Sequence, residues 1–219
     1  MDQAAYNPAY REYVGAIWEI EAERIPVIQA RIAEWLGVSR ASVSEMVRKL
    51  DTEGLIVTEP EIGLTAEGRR LAEVIVRRHR LAERFLSDVL GLTWDKVHPE
   101  AEVWENIISD DVEAAMWAAM ENPTTCPHGN PIPGSGYKPP PMAALSTLDQ
   151  GLARPIERLS EELEMDDDMM GFLDRSNLRP GTTVEVLDQS PQGTLTVKVG
   201  GQEPIGVSQF LAERVFIAL

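Results

Sequence analysis

The chain lacks most of the features that mark membrane or secreted proteins. Its 219 residues include one cysteine, Cys126, so no internal disulfide can form and a reducing cytosol is expected. No stretch approaches the roughly 18–20 apolar residues that a membrane-spanning helix requires. The opening residues are polar and acidic, unlike a signal peptide. These absences favour a cytoplasmic protein, and the hydrophobic content of 43% is enough to build real cores.

Basic residues are also scarce, and they are unevenly distributed. The chain has 20 Lys and Arg against 36 Asp and Glu, a net charge of −16. Residues 24–84 hold eleven basic and nine acidic side chains, so this window is +2 and the remainder is −18. A slightly basic N-terminal module on an acidic body is typical of a DNA-binding protein with a separate sensing region. Weak non-specific DNA binding is expected at physiological salt.

The N-terminal third has the pattern of a winged helix-turn-helix. Apolar side chains at helical spacing predict helices over residues 8–23, 27–36 and 40–53. Gly37-Val38-Ser39 is predicted to form the turn, with Ser39 as the cap of the third helix. Short strands at 55–58 and 64–65 then make a hairpin. We therefore predict a DNA-binding domain over residues 1–64, with an ordinary three-helix bundle as the alternative.

The third helix of such a motif presents its N-terminal residues to the major groove. Arginine and lysine side chains there suit phosphates, which position the protein without specifying a sequence. Ala41 suits a thymine methyl group, and Glu45 either accepts from cytosine or repels phosphate. The residues predicted to contact DNA are Arg31, Ser39, Arg40, Ala41, Ser42, Glu45 and Lys49.

Residues 65–141 carry metal-type side chains at helical spacing. Helices are predicted over 65–90, 94–97, 99–108 and 110–120. Residues three and four apart share a face of a helix, so His79 and Glu83 point one way, and Glu102, Glu105 and Asn106 point together. The proline-rich stretch 123–141 is predicted to be an ordered loop and then a linker. This segment is interpreted as a helical metal-binding domain.

The last segment, residues 142–219, is predicted to be a small β module. Strand candidates are residues 183–187, 195–199 and 215–218, and residues 165–175 are predicted to form a helix. The whole chain is therefore expected to be mainly α with a small β domain.

Several ordered motifs together resemble the diphtheria toxin repressor family of metal-dependent transcriptional regulators. They are residues 77–86, 97–105 and 109–113 and the loop 122–134. The resemblance covers nearly the whole chain. It implies a homodimeric repressor of metal-homeostasis genes that binds palindromic operator DNA. It also implies that residues 65–141 form the dimerisation domain and that residues 142–219 form an SH3-like barrel.

The resemblance also implies two metal sites per chain. The primary ligands would be Glu12, Glu102, Glu105 and Asn106, where a histidine is usual in place of Asn106. Glu102 matches the manganese-type branch, whereas the iron-type branch usually has cysteine there. The ancillary ligands would be His79, Glu83 and His98 of the iron type, and Cys126, His128 and Asp168 of a streptococcal manganese type, with Glu164 as a substitute for Asp168.

Ligand chemistry agrees with the resemblance. An all-oxygen primary site suits Mn²⁺ or Fe²⁺, whereas Zn²⁺ would prefer the softer cysteine and histidine donors in vitro. No organic cofactor or membrane partner is expected. One alternative is a winged-helix regulator that metal does not switch, and another is a metal-dependent enzyme using paired carboxylates. The enzyme is disfavoured because the sequence offers neither a nucleophile nor a substrate pocket.

Overall fold

A computed structural model describes residues 7–219, which pack as two compact units. The first comprises the described chain up to His79 together with Glu105–Ile107, and the second comprises Arg80–Trp104 and Ile108–Leu219. The first six residues of the predicted DNA-binding domain lie outside the described residues. No helix within residues 7–219 combines the length and apolar character needed to cross a membrane.

The first unit is a helix-turn-helix followed by a hairpin, as predicted. Its elements are α1 (Pro8–Ala22), α2 (Gln29–Trp35), α3 (Arg40–Thr52), β1 (Ile56–Val57), β2 (Gly63–Leu64) and the first part of α4 (Ala66–Asp88). Pro8 occupies the first turn of α1, and the side chain of Asn7 accepts a hydrogen bond from the amide of Ala9 at 3.0 Å. The core is formed by aliphatic side chains from every element, including Ile17, Ile20, Ile32, Val43, Leu50 and Leu55.

Two glycines shape the ends of α2 and α3. Gly37 at φ 63° lets the chain leave α2, and Val38 N donates to the carbonyl of Ala33 at 3.1 Å. Gly54 at φ 70° ends α3 in the same way, and Leu55 N donates to Leu50 O at 2.9 Å. The two turns fix the direction of α3 and lead the chain into the hairpin.

The structure joins two helices that the sequence analysis separated. Helices over 94–97 and 99–108 were predicted, but α5 (Trp94–Ile107) is continuous and contains Pro99, so the break was wrong. Proline removes one backbone hydrogen bond from the helix. Buried Trp94, Val97 and Ala101 lie on both sides of Pro99, and their packing holds the helix together. The next helix, α6 (Asp110–Ala119), agrees with the helix predicted over residues 110–120 and is capped by Ser109.

The C-terminal domain is an antiparallel sheet of SH3-like type. Its strands are β3 (Met142–Ala144), β4 (Ala153–Leu159), β5 (Thr183–Gln189), β6 (Leu195–Val199), β7 (Ile205–Val207) and β8 (Val215–Ala218), in the order β3-β8-β4-β5-β6-β7. In register, Ile156 faces Ile217 and Val186 faces Val197. Two helices accompany the sheet, α7 (Asp167–Arg175) and α8 (Gln209–Ala212). The predicted strands β5, β6 and β8 are confirmed, whereas β3, β4 and β7 were missed.

Within the second unit, helices and sheet share one hydrophobic core. Leu81 of α4, Trp94 of α5 and Ile132 of the proline-rich loop pack with Ile156 and Val197 of the sheet. Arg80 of α4 adds a buried clamp, because its guanidinium contacts Glu161 Oε1 and Pro131 O, each at 2.5 Å. The loop over residues 123–134 is therefore held between α4 and the sheet, where it helps to build the site described next.

Candidate metal centre and nucleic-acid interface

Four buried side chains of the second unit converge on one point. They are Glu83 from α4, Cys126 and His128 from the proline-rich loop, and Glu164 from the segment that leads into α7. One candidate ligand atom of each lies within 4.8 Å of the others. None of the four is more than 1% exposed. We call these four residues the buried cluster.

Two carboxylates face two imidazoles at this point. His128 Nδ1 lies 2.9 Å from Glu164 Oε1 and 3.7 Å from Glu83 Oε1. His98 of α5 joins from the edge, with its Nδ1 3.5 Å from Glu164 Oε2 and 3.6 Å from Glu83 Oε1. His79 lies one helical turn before Glu83 on α4, so the two share a face of that helix.

The loop reaches the cluster because one glycine allows a very close backbone approach. Gly129 has φ +89°, and a Cβ placed there would lie 2.2 Å from the carbonyl oxygen of Glu157. The carbonyl of His128 accepts a hydrogen bond from Leu159 N at 2.9 Å. Cys126 N donates to Asn130 O at 2.9 Å and closes the turn. The prediction of an ordered loop in the first half of the proline-rich stretch is confirmed.

Outer hydrogen bonds orient the cluster, and the sequence analysis did not find them. Asn130 Nδ2 donates to Glu164 Oε1 at 3.0 Å, and Arg158 Nη1 donates to Asn130 Oδ1 at 2.9 Å. Trp94 packs edge-on against the His128 ring, with 4.6 Å between the centroids. Such outer partners fix the orientation of metal ligands. Only the position of Asn130 two residues after His128 hinted at this arrangement.

The electrostatics of the cluster favour a bound cation. Burial raises the pKa of the Cys126 thiol well above its usual value, and the carboxylates of Glu83 and Glu164 raise it further. Burial alone would lower the pKa of His128, but the attraction of Glu164 and Glu83 outweighs it, so the net shift is upward. A metal ion that binds here would therefore compete with protons for both groups.

The side chains of the buried cluster are chemically suited to bind a divalent metal ion. Among residues 7–219, His128 Nε2 and Glu164 Oε2 are buried without a hydrogen-bond partner. Buried polar atoms of this kind are uncommon and call for an explanation such as an ion. Carboxylate, imidazole and thiol donors suit Zn²⁺ and the other first-row divalent cations. The residues present therefore fit a metal ion.

Among the described residues, the carboxylate of the C-terminal domain that lies in the buried cluster is Glu164, whereas the sequence favoured Asp168 and kept Glu164 as its substitute. Asp168 is exposed in the first turn of α7, and among the described residues it belongs neither to the buried cluster nor to the overlapping group of His79, Glu83, His98 and Glu164. Glu164 follows a single 3-10 turn, Glu161–Leu163, that the Arg80 clamp holds against α4. This turn aims Glu164 inward, whereas α7 begins at Asp167 and carries Asp168 to the surface.

The predicted primary ligands are more exposed than the residues of the buried cluster. In the first unit, Glu105 Oε2 lies 2.8 Å from His79 Nδ1, and the amide nitrogen of Asn106 faces Glu105 Oε1 at 3.5 Å. Glu12 is exposed on α1. In the second unit, Glu102 is exposed, 3.7 Å from His98 Nε2. These four side chains do not form a buried cluster in the part of the chain that is described.

The predicted DNA face is open. Arg40, Ala41 and Ser42 are exposed at the N-terminus of α3, whereas Ser39 Oγ also accepts the capping hydrogen bond from Ser42 N at 3.1 Å. Lys49 Nζ lies 2.7 Å from Glu45 Oε1, and both side chains are exposed. Arg31 of α2 is half-buried and pairs with Glu34 at 3.4 Å. The first turn of α3 therefore exposes its side chains, although Ser42 Oγ also lies 2.9 Å from Ser39 Oγ, while Lys49 is paired with Glu45.

Comparison with known proteins follows the same division. The chain matches the family described as iron dependent repressor, N-terminal DNA binding domain, over residues 8–64. Residues 65–134 match a second family, described as iron dependent repressor, metal binding and dimerisation domain. Residues 144–219 match a third family, described as FeoA domain. The iron-dependent repressor IdeR of Mycobacterium tuberculosis is 36% identical over 216 residues, 93% of this chain and 94% of the relative. The chain belongs to the diphtheria toxin repressor family.

Further relatives agree with this membership. The diphtheria toxin repressor of Corynebacterium diphtheriae is 33% identical over 202 residues, 87% of this chain and 88% of the relative. A solved manganese-dependent transcriptional repressor in complex with manganese has 31% identity and a TM-score of 0.84, covering 95% of this chain and 99% of that one. The chain is a metal-dependent transcriptional repressor of this family, whose members are regulators and not enzymes.

Proposed function

We propose that this chain is a homodimeric repressor of metal-homeostasis genes, which Mn²⁺ or Fe²⁺ activates for binding to palindromic operator DNA. The observation that carries the proposal is the buried cluster, because its two carboxylates, imidazole and thiol bring candidate ligand atoms within 4.8 Å of one another in a buried site. Burying such groups is costly unless a cation compensates them. A divalent metal ion supplies that charge.

The proposed ancillary site joins two ligand sets. One set of proposed ligands is Glu83, His98 and Glu164, and the other is Cys126 and His128. His79 shares the helix face of Glu83 and is proposed as a further ligand. Glu164 takes the role first given to Asp168. The SH3-like domain is thus proposed to be a ligand donor, in preference to a separate protein-binding or autoinhibitory module.

The proposed primary site consists of Glu12, Glu102, Glu105 and Asn106. It is all oxygen when Asn106 turns its carbonyl oxygen inward, and oxygen donors favour Mn²⁺ or Fe²⁺. The ancillary site, with its thiol, is expected to take Zn²⁺ readily in vitro. We therefore propose two sites per chain with different metal preferences, and a manganese-type response in preference to an iron-type one.

The proposed switch is a shift of population in α1. Without metal, the carboxylates of Glu12, Glu102 and Glu105 repel one another and loosen α1. A metal ion removes that repulsion and holds α1 through Glu12. The ion contributes only its differential affinity for the ordered state. In a two-fold dimer this sets the spacing of the two α3 helices, which must lie about one DNA turn apart, roughly 34 Å.

Exposed apolar side chains support the homodimer. Val103 is 57% exposed and Ile107 is 72% exposed on α5, one helical turn apart, and Val112 on α6 is 47% exposed. Exposed large apolar side chains are candidates for an interaction surface. The segment that carries them is the one matched by the dimerisation family. We propose that they form part of the contact between two copies of the chain.

The proposed operator contacts lie on α2 and α3. Arg40, Ala41 and Ser42 face base edges and phosphates from the start of α3, with Ser39 next to them. Lys49 reaches phosphate when its pair with Glu45 opens, and Arg31 adds a phosphate contact from α2. These contacts are expected to weaken as salt rises, because counterions compete for the phosphates.

The test is DNA binding by chelated protein that is titrated separately with Mn²⁺, Fe²⁺ under anaerobic conditions, and Zn²⁺. The probe is a duplex that the metal-loaded protein has selected from a random pool. Binding gained at lower Mn²⁺ than Fe²⁺ concentration is the expected result. An equal or better response to Fe²⁺ would place the chain with iron-type sensors. Equal binding in chelator and in every metal would overturn the switch.

A further inference from the structure

Helix α1 carries a buried arginine immediately before the proposed ligand Glu12. Arg11 is only 8% exposed, and its Nη2 donates to the backbone carbonyl of Glu105 at 3.3 Å. Both residues belong to the first unit, although 94 positions separate them in the chain. The contact therefore joins the start of α1 directly to the end of α5.

The acceptor is a carbonyl that the helix itself leaves open. Helix α5 ends at Ile107, so the carbonyl of Glu105 is one of the last four, which have no partner within the helix. The C-terminus of a helix carries partial negative charge and favours a nearby cation. Arg11 thus satisfies an open carbonyl and places its positive charge at the negative end of α5.

The guanidinium also lies in the electrostatic field of the Glu105 side chain. Burial lowers the pKa of Arg11, attraction to Glu105 offsets part of that effect, and the neighbouring Arg78 lowers it further. Arginine nevertheless stays protonated in proteins. Its Nε is buried and has no hydrogen-bond partner among residues 7–219. A buried charge held in this way is costly to retain without a structural role.

We propose that Arg11 is an internal cation that fastens α1 to the C-terminal end of α5 when no metal is bound. Arg11 holds α1, the same helix that the metal ion is proposed to hold through Glu12. The wild-type protein therefore keeps α1 partly ordered without metal, and the metal has less of the population left to shift. Only this regulatory consequence rests on the proposed function; the fastening of α1 does not.

The first arm of the test is hydrogen exchange of the full-length chelated protein. Arg11→Met should speed exchange of α1 amides about tenfold relative to wild type, as expected for loss of one buried charge-assisted hydrogen bond. The amides of α3 should keep wild-type rates, which separates local loosening from unfolding. Arg24→Met, which removes an exposed arginine just beyond α1, is the matched control and should change nothing. If Arg11→Met fails to fold, Arg11→Gln carries the same test.

The second arm is binding to the selected duplex. Chelated Arg11→Met should bind at least about fivefold more weakly than chelated wild type, and saturating Mn²⁺ should bring the two within about twofold. Unchanged α1 exchange in the Arg11 variants would overturn the proposal whatever the DNA result. Faster α1 exchange together with DNA binding that ignores metal in every variant would leave the fastening intact and overturn the proposed function instead.

Discussion

The two sets of candidate ligands differ in how far the fold has already assembled them. The buried cluster is closed on all sides by α4, the proline-rich loop and the turn before α7, and outer hydrogen bonds orient it. The primary set is open: Glu12, Glu102 and Asn106 are exposed, and Glu105 is turned toward His79. A preassembled site changes little when it binds a metal ion. The primary set is exposed to solvent, and we propose that it is the set that drives the conformational switch when a metal ion binds.

The largest expected effect concerns the clamp that keeps the buried cluster rigid. Arg80→Met removes the guanidinium that contacts buried Glu161, at one end of the turn that positions Glu164. Losing one partner of a buried ion pair should lower the free energy of unfolding by about 3–5 kcal/mol. Urea denaturation followed by circular dichroism measures this. Arg70→Met, which breaks an exposed pair with Glu67 on the same helix, should cost under about 1 kcal/mol. If Arg80→Met and Arg70→Met lower the free energy of unfolding equally, the buried ion pair does not stabilise the protein more than the exposed one.

A second test targets the close approach of the loop. Gly129→Ala forces a Cβ against the Glu157 carbonyl and the backbone of Arg158. This overpacking should cost about 1–3 kcal/mol in addition to the backbone strain at φ +89°, and should weaken Zn²⁺ binding at the cluster. The control is Gly136→Ala, which also has a positive φ of 74° but open space around the added carbon. It should cost roughly 1–2 kcal/mol from backbone strain alone and leave Zn²⁺ binding unchanged. Calorimetric titration with Zn²⁺ measures the affinity of the Gly129→Ala and Gly136→Ala variants. Wild-type Zn²⁺ affinity in Gly129→Ala would contradict the role given to the loop.

How much of this was visible in the sequence depends on the range of the interaction. Helix periodicity and capping residues were enough for α1, α3, α6 and the hairpin, because those signals are local. Strand β4 was missed because Ala153–Leu159 contains a proline and three charged residues and shows no alternation. The other missed strands, β3 and β7, have only three residues each, too few for a periodic pattern.

The site shows the same limit. Donor types and helix faces were readable, but the choice between Glu164 and Asp168 depends on where one 3-10 turn ends and α7 begins. Arg11 was overlooked because its partner is distant in sequence. One signal was available: Arg11 lies three residues before Val14 and so falls on the buried face of α1. A charged residue on an apolar helix face indicates that a partner lies elsewhere in the fold.

The third test concerns proton and metal competition at the buried cluster. Cys126 and His128 both have raised pKa values, so protons compete with metal and Zn²⁺ affinity should fall as the pH drops from 8 to 6. Cys126→Ser should lower Zn²⁺ affinity by at least about tenfold and flatten this pH dependence. Competition with a chromophoric chelator measures both. A Cys126→Ser variant with wild-type affinity and slope would exclude the thiol as a ligand.

The smallest expected effect is at the DNA face. Lys49→Ala should weaken operator binding modestly and equally across sequences, and should reduce the slope of log affinity against log salt by about 1. Fluorescence anisotropy at several salt concentrations gives that slope. Lys198→Ala removes an equally exposed lysine from β6 in the sheet domain and should leave the slope unchanged. Equal changes in both variants would mean that only net charge matters.

The most direct test of the switch is Mn²⁺-dependent DNA binding by Glu12→Ala beside wild type, with the dimer followed by sedimentation. We expect Glu12→Ala to dimerise normally, and we expect Mn²⁺ no longer to strengthen its binding to the selected duplex. Wild type should gain at least about tenfold in the same titration, a coupling in the usual range for allosteric proteins. If Glu12→Ala still requires Mn²⁺ and responds as wild type does, the metal does not act through α1 and the primary set is not the switch.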